Sequence, residues 1–123
     1  MNISLVSFGF KHGAPADADL MFDVRCFPNP YYIPELKHKT GLMPDVSEFV
    51  LASRDVQDFL QHLFALLDHL LPLYHEDGRS HITIAIGCTG GKHRSVTIVE
   101  ALSRHLTHNN AVNVSVSHRD IQK

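Results

Sequence analysis

An apolar run, Ile82-Thr83-Ile84-Ala85-Ile86, leads into Gly87-Cys88-Thr89-Gly90-Gly91-Lys92-His93-Arg94-Ser95 and then into an amphipathic stretch. A strand covered on both faces is apolar almost throughout, as this run is. Val96, Val99, Leu102 and Leu106 follow at helical spacing, and Asn109-Asn110 is placed to close that helix with a left-handed cap. Val112, Val114 and Val116 then alternate with Asn113, Ser115 and Ser117, the period of a one-sided strand near a sheet edge. Strand, loop, helix, strand is a βαβ unit. The expected fold is therefore α/β, a mostly parallel sheet flanked by helices.

The remaining segments fit this frame. Ile3 to Phe8 reads as a strand closed by Gly9, and Leu20 to Val24 as a second strand with Asp23 and Arg25 at its C-terminal end. Pro28, Pro30 and Pro34 stiffen an extended loop that carries Tyr31 and Tyr32. Asp45 to Ser53 predicts a short helix. Asp55 to Leu71 predicts a long one, because Val56, Phe59, Leu60, Leu63, Leu67, Leu70 and Leu71 keep the 3.6-residue stripe and Asp77-Gly78 stops it.

At 123 residues the chain is read as one domain, residues 1–123. Only Cys26 and Cys88 are present, without C-x-x-C spacing, which counts against a disulfide scaffold or zinc cluster and favours a reducing cytoplasm. No apolar run approaches the roughly 20 residues of a membrane span, and no signal-peptide pattern opens the chain. His105 and His108 share a helix face but lack a third ligand, so no metal or other cofactor is expected. The net charge of −2 counts against a strongly basic nucleic-acid binder. A local patch around Lys11, Arg25, Lys92 and Arg94 stays open.

Parallel sheets bind ligands beyond the C-terminal ends of their strands, so Asp23, Arg25 and the 87–95 loop are expected on one rim. Glycines let the loop turn its N–H groups onto an oxyanion at the helix start. The nucleotide P-loop pattern does not fit. Ile86 stands where its first glycine belongs, and His93 follows Lys92 in place of Ser or Thr. Two readings remain. The pattern C-x5-R-[ST] is met by Cys88, Arg94 and Ser95; Cys88 would attack phosphorus, Arg94 would hold the phosphoryl oxygens, and Asp23 or Asp120 would protonate the leaving group. In the other, Thr89, Gly90, Gly91, Lys92, His93, Arg94 and Ser95 hold a phosphorylated metabolite without turning it over. Lys11 is placed to approach the phosphate, and Tyr31 and Tyr32 offer a stacking platform.

Several motifs together resemble one family. Ser7-Phe8-Gly9-Phe10-Lys11-His12-Gly13, Asp17-Ala18-Asp19, Phe22-Asp23-Val24-Arg25, Pro28-Asn29-Pro30, Thr40-Gly41-Leu42, the segment from Ile84 to Ser95 and His118-Arg119-Asp120 run in order along nearly the whole chain. They are similar to the C-terminal domain of the RapZ (YvcJ) RNase adapter family. The resemblance implies a fold similar to a phosphofructokinase subdomain. It also implies binding of glucosamine-6-phosphate through Asp23, Arg25, Thr89, Gly90, His93 and Arg94, with Tyr31 standing where some members have a pocket histidine. In enteric members the domain binds a small regulatory RNA and presents it to a ribonuclease, and the family self-associates.

Two departures shape the expectation. The nucleotide-binding P-loop domain that precedes this domain in the family is not in the sequence, so ATP or GTP binding is not implied. RNA-binding members end in a basic tail, whereas this chain ends Ile121-Gln122-Lys123, which weakens RNA binding as an inference. The expectation is a regulatory module that binds an aminosugar phosphate, with a cysteine phosphatase as the alternative.

Overall fold

A computed structural model describes residues 1–123. Four strands, β1 (Asn2–Gly9), β2 (Leu20–Asp23), β3 (His81–Cys88) and β4 (Asn113–His118), form one sheet in the order β2-β3-β1-β4. All three pairings are parallel. Three helices, α1 (Pro44–Leu51), α2 (Arg54–Glu76) and α3 (Arg94–Leu106), accompany it. The α/β reading and the parallel sheet hold, and the sheet is wholly parallel.

Register explains the core. Leu5 lies beside Ile84 and Ile84 beside Leu20, while Ile3 pairs with Ile82. With side chains alternating along each strand, Ile82, Ile84, Ile86 and Cys88 share one face of β3. That face packs into a single cluster of 20 buried residues with Val46 and Val50 of α1, Leu60, Leu63, Leu67 and Leu71 of α2, and Ile98, Val99 and Leu102 of α3.

The chain leaves the two central strands in opposite directions. β1 leads to β2, beyond β3, while β3 leads through α3 to β4, beyond β1. The connections that follow β1 and β3 therefore cross the sheet in opposite directions, the arrangement that opens a ligand crevice in parallel sheets, with the Lys11 N–H still donating to the Thr89 carbonyl at their start. Gly9 and Cys88, the last residues of the two strands, are paired there.

Some boundaries differ from expectation. The long helix passes Leu71 and runs through Pro72 to Glu76. Proline forfeits one helical hydrogen bond, yet continuing the helix brings Tyr74 against the core and lets Arg79 bond to Asp19. The Asn109-Asn110 cap is not formed. α3 ends at Leu106 with Thr107 still right-handed, and every positive-φ residue in the chain is glycine. Instead the Asn109 side chain accepts from the Ala111 N–H and shapes the turn into β4. β4 is indeed an edge strand, but Val116 is exposed, so its one-sided character is partial.

Candidate anion-binding site

α1 and α2 each carry an aspartate in the first turn, Asp45 and Asp55, and Ser53 caps α2 by accepting from the Val56 N–H. α3 has neither. Its first turn contains no acid and its N-cap residue, His93, makes no capping bond. Ahead of it, the N–H groups of Thr89, Gly90, Gly91, Lys92 and His93 donate to no acceptor. Unpaired N–H groups and a helix dipole without a counter-charge leave a positive site at the head of α3.

Close approach of glycine backbones holds this loop in place. Gly91 turns with φ of +78°, and a Cβ built there would lie 2.6 Å from the Gly9 nitrogen and 2.9 Å from the Asp120 side chain. Asp120, completely buried, accepts from the Gly9 N–H at 2.8 Å, from Arg119 at 2.8 Å and from Lys123 at 2.7 Å. Burial alone would raise its pKa. The bonds from Arg119, Gly9 and Lys123 overcome that and hold the carboxyl far below the usual range. On the other side, the Gly41 N–H donates to the Lys92 carbonyl at 2.7 Å.

Above the loop lies a cavity of about 720 Å³. Thr89, Gly90, Lys92, His93 and Arg94 line it from the loop, with Cys88 at the strand end and Lys11 from the segment after β1. Asn29, Tyr31, Tyr32 and the run Lys37-His38-Lys39-Thr40 come from the long connection before α1, and Ile121 from the chain's last turn. Four lysines and Arg94 face this space, and no aspartate or glutamate does. Lys39 pairs with Asp45, while Lys11, Lys37 and Lys92 lie in no ion pair.

Arg94 and His93 differ from the lysines in being buried, 3% and 8% exposed. One Arg94 nitrogen, Nη1, donates to the carbonyls of Arg25 (2.7 Å) and Phe27 (3.0 Å), which fastens the loop after β2 to the head of α3. Arg94 Nε and His93 Nε2 have no partner. Burial depresses the His93 pKa despite the carbonyls of Lys39 and Lys37 beside the ring, so the imidazole is neutral at pH 7. The other expected residues are spread more widely. Ser95 is buried, with its Oγ 3.1 Å from Cys88 Sγ, so the sulfur belongs to the core face and meets the start of α3. Asp23 and Arg25 bind each other at 2.6 Å, with Arg25 stacked 4.0 Å over Phe10, and neither side chain lines the cavity.

The Lys37-His38-Lys39-Thr40 wall is the part that sequence reasoning missed. Two lysines and a histidine in three positions were the available signal, but nothing local says that this stretch folds back onto Lys92. His105, weighed above as a metal ligand, pairs with Asp68 at 2.9 Å and stacks on Phe64. No group of three or more His, Cys, Asp or Glu is placed to hold a metal ion, and no helix is long and apolar enough to cross a membrane.

A family model described as the RapZ C-terminal domain matches residues 1–122. The chain belongs to the RapZ C-terminal domain family. Among similar proteins, one named nucleotide-binding protein from Caldicellulosiruptor saccharolyticus is 55% identical over 123 residues, all of this chain and 42% of that protein. Another of that name from Limosilactobacillus fermentum is 53% identical over 121 residues, 98% of this chain and 42% of that protein. A third, from Lysinibacillus sphaericus, is 50% identical over 121 residues and matched over 40% of its length. The chain thus spans about two-fifths of the length of these relatives. The family membership bears out the resemblance seen in the motifs.

Proposed function

We propose that this domain is a regulatory module that binds an aminosugar phosphate such as glucosamine-6-phosphate and does not turn it over. The observation that carries the reading is the acid-free cavity at the head of α3, with its unpaired loop N–H groups and unpaired lysines. The phosphoryl group sits against the N–H groups of the 89–93 loop, with Lys11 and Lys92 supplying charge, Arg94 a buried donor and His93 a buried neutral polar contact. The cavity holds no carboxylate for the sugar's ammonium group, so Asn29 and Thr89 offer neutral acceptors, and Asp23 serves only by leaving Arg25.

Catalysis by the cysteine pattern has less support. Its acid must carry a proton at neutral pH, yet the bond from Arg25 holds the Asp23 carboxyl below its ordinary pKa, and Asp120 is buried as an anion. Calorimetry with glucosamine-6-phosphate tests the binding reading. Saturable heat that Lys11→Ala and Lys92→Ala weaken is expected, and an absence of heat refutes it. A second reading, an RNA adapter serving a ribonuclease, rests on Tyr31 and Tyr32, 49% and 79% exposed beside the lysines at the cavity mouth. It predicts RNA binding that falls steeply with salt in a mobility-shift titration.

A further inference from the structure

The positive groups of the cavity come from different segments of the chain. The Lys11 ammonium lies over Gly90, 4.0 Å from where a Cβ would stand, beside Lys92 and the loop N–H groups. The Lys37 ammonium, from the connection before α1, lies 4.7 Å from the centre of the Tyr31 ring and has no carboxylate partner. One phosphoryl group, with at most about two negative charges, does not balance Lys11, Lys37, Lys92 and Arg94 together. At about 720 Å³ the space lies within the range of roughly 300–1,000 Å³ that takes drug-sized ligands. An unpartnered His93 Nε2, on a side chain nine-tenths buried in the same lining, marks the cavity as built for a polar ligand.

We infer that the site takes a sugar ligand with a second phosphoryl group, one phosphate on the 89–93 loop and the other at Lys37. This rests on the phosphosugar reading above and narrows its ligand class. The second phosphate belongs either to a sugar bisphosphate or to the diphosphate bridge of a nucleoside-diphosphate sugar, whose base would have Tyr31 and Tyr32 to stack on.

Calorimetry at low salt with glucosamine-6-phosphate, glucosamine-1,6-bisphosphate and UDP-glucosamine separates the cases. At least one doubly phosphorylated ligand is expected to bind roughly tenfold tighter than the monophosphate, as one charge-assisted contact warrants. Lys37→Ala is expected to bring that ratio down toward one, while Lys92→Ala weakens all the ligands that bind. The ligand that shows the advantage identifies the source of the second phosphate. Equal affinities, or an advantage that survives Lys37→Ala, overturn the inference and leave the phosphosugar reading standing. If none of the three binds, both fall.

Discussion

At Gly91 the φ of +78° and the nearness of Gly9 and Asp120 leave no room for a side chain. Gly91→Ala is expected to cost about 2 kcal/mol or more, from left-handed strain plus displaced backbone, read as a lower urea midpoint. Asp120 and His93 both contribute to the acid side of the stability curve, alongside the ion-paired Asp19, Asp23 and Asp45. The Asp120 pKa is lower in the folded chain than its ordinary 3.8, so its contribution is complete above that pH and is lost as pH falls below it. The His93 pKa is also lowered, from 6.5. The unfolded chain then takes up a proton that the folded chain resists, and stability begins to fall at about pH 6.5. Urea melts from about pH 7 to 3 should show both limbs, with Asp120→Asn flattening the lower and His93→Gln the upper. Neither environment could be read in full locally, because each includes partners far away in sequence: Gly9 for Asp120, and the 37–39 wall for His93.

At the scale of elements, hydrophobic period did most of the placing. The stripe of α2 predicts that Leu67, fully buried, and Leu66, 41% exposed, respond differently to truncation. Leu67→Ala is expected to lose about 2–5 kcal/mol and Leu66→Ala well under half of that, by chemical denaturation. Strands β1 and β3 and the start of α3 were legible for the same reason: their apolar residues recur at spacings set by backbone geometry alone. Endings were less so. The apolar stripe of α2 runs out at Leu71, yet packing of Tyr74 carries the helix through Pro72 to Glu76, and a pair of asparagines reads as a cap where α3 has already ended. The loop at the head of α3 was legible in composition, and its place beyond the strand ends followed from the parallel sheet. The opposite wall was not, since Lys37 to Thr40 lies outside any regular element and has no period to read.

For the molecule as a whole, charge is distributed against its sum. The chain is net negative, −2, while the only fixed charges lining the cavity at the head of α3 are positive. A phosphorylated ligand at 100 times its dissociation constant should stabilise the fold by about 2.7 kcal/mol, seen as a raised melting temperature that added salt diminishes. Lys92→Ala should reduce that rise without lowering the melting temperature of the free protein by more than a degree or two, on the order of 0.5 kcal/mol for a surface change. The bond from the Gly9 N–H to Asp120 spans 111 positions. It works as a latch between the first strand and the final turn, so neither can fray alone. The Gly9 amide is consequently a built-in reporter. Its hydrogen-exchange rate measures how often the last turn lifts, and each lifting removes Ile121 from the cavity and frees Gly91 to move.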